Sequence, residues 1–146
     1  MLRYKRPDTG FGHPRSTIIE TSRALVILAA PGYPMSSTGS TEFIKKCEDP
    51  SFGFLVAPGV TPAYLEHVHA SILACSVLGY RSPAHEHCRE FIRRCQSGNG
   101  GYVWSIFGGA ATLENTYLAL DILEMIRQMQ DTGIQQDSAG PLRCCD

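Results

Sequence analysis

Glu90-Phe91-Ile92-Arg93-Arg94-Cys95-Gln96, with Gly100-Gly101-Tyr102 just beyond it, is the stretch on which the fold turns. Slid back by 48 residues without a gap, it lands on Glu42-Phe43-Ile44-Lys45-Lys46-Cys47, with Gly53 under Gly101 and Phe54 under Tyr102. In the same frame Leu65 and Glu66 fall on Leu113 and Glu114. Seven identities across 42–79 stand against the roughly two that ordinary composition supplies by chance. A further copy of the second half lies upstream. Thr21, Ala24, Leu25, Ile27 and Leu28 match Thr116, Ala119, Leu120, Ile122 and Leu123 at an offset of 95. A repeat of this length marks stacked supersecondary units, each burying a face against its neighbour.

Each unit reads as a helix, a glycine-bearing loop and a second helix. Ser82-Pro83, Thr61-Pro62, and Thr112 with Glu114 are helix-start signals. Cys88, Phe91, Ile92 and Cys95 recur at i, i+3, i+4 and i+7, with Arg89, Glu90, Arg93 and Arg94 between them. That is a one-faced amphipathic helix. The helices around Leu65–Leu78 and Leu113–Met125 are apolar on most of their circumference, which predicts burial on both sides. The pattern predicts an all-α protein with helices over 17–30, 38–48, 63–79, 84–96 and 111–130 and no sheet. Segments 17–30, 63–79 and 111–130 form a common inner layer in this reading. A strand ladder anywhere within 40–60 or 97–110, or Phe43 and Phe91 in non-equivalent surroundings, defeats it.

Length and composition bound the rest. A chain of 146 residues, 43% hydrophobic and 18% charged, makes one ordinary domain with a real core. A net charge of −1 gives no electrostatic footprint for nucleic acid. The longest apolar run, Ala24 to Pro31, is far short of a bilayer span. The basic start, Met1 to Arg6, leads into no apolar segment, so no secretory signal is expected and a soluble cytoplasmic protein is predicted. Cys47, Cys75, Cys88 and Cys95 fall within helical periodicity and read as small hydrophobes. No CxxC pair occurs, and the vicinal Cys144-Cys145 pair belongs to a polar tail, 131–146, after a structured region, 1–130.

The run Phe91-Ile92-Arg93-Arg94-Cys95-Gln96, Gly100-Gly101-Tyr102, then Leu113-Glu114-Asn115-Thr116-Tyr117-Leu118-Ala119-Leu120 resembles the repeat of prenyltransferases and terpenoid cyclases. Together with Phe52–Gly59 and Leu65–Gly79 it is most similar to β subunits of protein geranylgeranyltransferases, over about residues 9–130. The resemblance implies an α-α toroid, here a partial ring of about two and a half units, whose central cavity holds an isoprenoid. It implies binding of an isoprenoid diphosphate and transfer of the prenyl group to a cysteine thiol. The alternatives are a terpenoid-cyclase-like polyprenyl-binding protein and a non-catalytic half-toroid acting as an interaction module.

In the family, zinc is held by an Asp and a Cys from one repeat and a His from the next. The match places His67 at the histidine, with Thr17 and Ile19 at the other two positions, so zinc is a candidate cofactor with an incomplete donor set. The cyclase DxDD acid motif is absent, and Asp121 and Asp131 stand alone. His67/His69 and His85/His87 are i, i+2 pairs that point to different sides of a helix, while His85 and Cys88 could share a metal only with a third ligand. Tyr64, Trp104 and Tyr117 are candidate substrate-binding aromatics; with Phe107 they either line an apolar wall or fill the core. Lys45, Lys46, Arg93 and Arg94 read as solvated outer surface. A partial ring leaves apolar ends, so a homo-oligomer or a complementary helical subunit is expected, with Leu25, Leu28, Leu120 and Met125 at the joint. A truncated gene product is the other explanation of such ends.

Overall fold

The structure, a computed structural model, describes residues 1–137. It is mostly helical: α1 (Ile18–Ala29), α2 (Thr41–Lys46), α3 (Leu65–Leu78), α4 (His85–Cys95) and α5 (Leu113–Asp137). Short 3-10 turns lie at Leu2–Tyr4 and Met35–Thr38. The vicinal cysteines lie outside the described residues.

All five expected helices form, and their ends have local causes. Thr17 caps α1, its hydroxyl accepting the Glu20 N–H at 3.2 Å, and Thr112 does the same for the Asn115 N–H at 3.1 Å. Gly79, in the left-handed region at φ 65, ends α3. Helix α2 is shorter than 38–48. Left-handed Gly39 (φ 66) separates the 3-10 turn from it. Helix α5 runs beyond 130, where Arg127 bridges Glu124 and Asp131 at 2.7 and 2.6 Å.

The expectation of no sheet fails. β1 (Glu48–Asp49) and β2 (Gly53–Phe54) pair antiparallel, Glu48 opposite Phe54, inside the stretch where a ladder defeats the reading of purely helical units. That reading is corrected: the loops between helices hold short antiparallel pairings. Lys5 bridges Phe11 and Gln96 bridges Tyr102, so a pairing of residues six positions apart, like that of Glu48 with Phe54, occurs three times. Its hydrogen bonds recur too: Gly12 N–H to Tyr4 C=O at 3.1 Å, Leu55 to Cys47 at 2.9 Å and Val103 to Cys95 at 2.9 Å. Phe11, Phe54 and Tyr102 are all buried. The first hairpin escapes a fixed offset because Phe11 lies seven positions before α1, whereas Phe54 and Tyr102 lie eleven before α3 and α5.

Helix α3 is the hub of the packing: it contacts both α1 and α5 extensively, and α2, α4 and β2 to a lesser extent. Phe43 and Phe91, with Ile44 and Ile92 and Cys47 and Cys95, are all buried. Successive units lock together through the start of each inner helix. The Ile18 N–H donates to the Val56 carbonyl at 2.7 Å and the Leu65 N–H to the Trp104 carbonyl at 2.9 Å. Burial of α5 on both sides is not observed: Leu113, Tyr117 and Leu120 are exposed, because no further helix lies on that flank among the described residues. Leu25 and Leu28, expected at an outer joint, are covered within the chain.

Candidate functional site

Tyr64 immediately precedes α3, and Trp104 lies on the connector that leads into α5. Their rings stack with centroids 4.5 Å apart and planes 3° from parallel. The connector is held by the Leu65 N–H on the Trp104 carbonyl and by buried Ser105, whose hydroxyl donates to the Ala63 carbonyl at 3.2 Å. Gly109 lets the chain pass against the indole: a Cβ there would lie 2.7 Å from Trp104 Nε1. The stacked pair forms one wall of an open cleft of about 600 Å³, completed by Leu65, Glu66, His67, Glu114, Asn115 and Leu118. Half of the Trp104 surface stays exposed, a flat apolar platform with two carboxylates nearby.

His67 is buried in this cleft. Its Nδ1 accepts the Tyr64 N–H at 3.3 Å, so the neutral ring carries its proton on Nε2. Burial lowers its pKa below the ordinary 6.5, opposed by Glu66. Thr17 and Glu20 on α1, and Thr112 and Asn115 on α5, occupy the same two places in their own helix starts. His67 therefore serves as the third residue of a helix cap.

The three positions matched to the zinc ligands do not fit zinc. The Thr17 hydroxyl is engaged with Glu20, Ile19 has no donor atom, and His67 spends one nitrogen on its cap. Among the described residues no group of three His, Cys, Asp or Glu could hold a metal ion. His85 is buried, and its Nε2 has no hydrogen-bond partner among the described residues. The neighbouring Cys88 thiol is pushed up by burial, the wrong direction for a thiolate ligand.

Of the three candidate aromatics, the cleft gathers Tyr64 and Trp104 but not Tyr117. Tyr117 is 61% exposed on the bare flank of α5, about 100° around the helix from Leu118. Phe107 also stays outside, exposed and tilted against Phe52 at 6.3 Å. The outer cations behave as surface, Lys45 pairing with Glu42 at 2.9 Å and Arg93 with Glu90 at 2.7 Å. One pair escaped the sequence. His69 Nε2 meets Asp121 Oδ2 at 2.7 Å, tying α3 to α5; a separation of 52 residues leaves no local pattern. No family model and no curated protein matches this chain.

Proposed function

We propose that this chain binds an isoprenoid hydrocarbon on the Tyr64–Trp104 platform, as a segment of an α-α toroid of the prenyltransferase and terpenoid-cyclase type. One observation carries the reading. Tyr64 and Trp104, two of the candidate aromatics, meet His67, the position matched to the family's histidine, in a single cleft between the starts of α3 and α5. Stacked aromatics with Leu118 beside them supply an apolar wall for a branched alkene chain. Glu66 and Glu114 line the same cleft and repel an anionic headgroup, so the hydrocarbon end is seated here and a diphosphate lies away from it. Transfer to a thiol, as in the geranylgeranyltransferase β subunits, is a further step of this reading. It requires zinc donors that Thr17 and Ile19 do not supply.

Equilibrium binding of a fluorescent geranylgeranyl diphosphate analogue tests this. The expected result is saturable binding, displaced by geranylgeraniol but not by inorganic pyrophosphate, and weakened about tenfold or more by Trp104→Ala. No saturable binding by a cooperatively melting chain, or equal binding by Trp104→Ala, overturns the reading.

A further inference from the structure

The repeat allows the same position to be compared in three inner helices. Ile18 and Leu65, which open α1 and α3, are 0% exposed, whereas Leu113, which opens α5, is 87% exposed. Leu25 and Ile72 are buried, whereas their equivalent Leu120 is not. In the opposite direction Ala74 and Ile122 are buried, whereas Ile27, at the same place on α1, is 54% exposed. Each contrast falls where the stack has no neighbour among the described residues. Helix α5 thus presents the face that α1 and α3 turn toward a following unit, and α1 presents the face that α3 and α5 turn toward a preceding one.

We infer that these are the two halves of one joint, and that a second copy of this chain occupies it head to tail, its α1 and first hairpin against the bare flank of α5. An apolar groove of about 250 Å³ between the first turn and α1, lined by Tyr4, Phe11, Arg23, Ala24 and Ile27 among others, receives Leu113 and Tyr117. The register of the internal joints sets the partners. Tyr117 takes the place of His69, and Val26 of the second copy takes that of Asp121. The internal ion pair at 2.7 Å is thereby replaced by two exposed apolar side chains. Glu66 and Leu118 line one cleft, and their equivalents are Glu114 and Arg23, so opposite charges meet across the joint. The Leu113 N–H, which has no partner like those of Ile18 and Leu65 among the described residues, finds the His13 carbonyl of the second copy. Such a joint is heterologous, so each copy keeps one free end until a ring closes. The inference does not depend on isoprenoid binding.

Sedimentation velocity on the full chain, from low to high micromolar concentration, tests it with two variants. Leu113→Glu places an acid in the first turn of α5 and Ile27→Lys a cation in the last turn of α1, both favoured by the helix dipole. The wild type is expected to associate. Each variant alone should associate about tenfold more weakly or less still. An equimolar mixture should recover association and stop at a dimer, because each variant keeps one intact face. Tyr117→Ser with Val26→Ser gives a second pair if either first variant fails to melt cooperatively. A wild type that stays monomeric overturns the inference. So does association indifferent to Ile27→Lys, as an α5-to-α5 contact would give, or a mixture that stays monomeric.

Discussion

Gly53 shows how much one residue can hold. It sits at φ +83, and a Cβ there would lie 3.0 Å from the backbone N and Cα of Cys88, so a methyl group pushes the hairpin off α4. Gly100 has the same sign of φ, at +88, with open space around it. Gly53→Ala should cost about 3 kcal/mol or more, and Gly100→Ala only about 1 kcal/mol, the backbone term alone, in urea unfolding. The thiols make a second test. Burial pushes Cys47 and Cys95 up to about 12 and also raises Cys75 and Cys88, so all four should resist a disulfide reagent at pH 8 until the chain unfolds. Burial likewise lowers the pKa of His67 and His85 below 6.5. The unfolded chain then binds more protons just below that value, so their contribution to stability is complete above pH 6.5 and is lost as pH falls through the folded pKa values. The melting temperature should drop between pH 7.5 and pH 5. His67→Gln, which keeps an acceptor for the Tyr64 N–H, should reduce that drop. The burial of these cysteines was legible in helical spacing. The capping role of His67 was hidden, because histidine is no usual cap and its equivalents are Glu20 and Asn115.

Among elements, the helices were easier to read than the hairpins. Phe91, Ile92 and Cys95 announce an amphipathic helix by spacing alone, but a ladder of two residues has no alternating run to betray it. Six-residue recurrence from Lys5 to Phe11, Glu48 to Phe54 and Gln96 to Tyr102 becomes visible only in the backbone pairing. Helix caps follow the same division. Thr17→Ala should cost about 1 kcal/mol in chemical denaturation, since the Glu20 N–H loses its acceptor in a helix packed into the core. The bare flank of α5 escaped the sequence for a plain reason: apolar residues all round a helix say that a neighbour is wanted, not that one is present.

At the scale of the whole molecule, the stack of three inner helices places Tyr64, Trp104 and His67 together across about 40 positions of sequence. Single-site spacing could not show this; the repeat could, because each connector returns to the start of the preceding inner helix. The same stack leaves Thr17 and Ile19 without zinc chemistry. Elemental analysis of the purified chain should accordingly find less than one tightly held zinc per chain, with no dependence on His67. An isoprenoid bound on the platform would lie against Trp104, the only tryptophan in the chain and half exposed. Its emission, followed while geranylgeraniol is added, tests that contact without any label. The expected result is a saturable shift to shorter wavelength as the indole leaves water for hydrocarbon. Emission that stays unchanged while direct assay shows the alcohol bound, or an alcohol that does not bind at all, would contradict it.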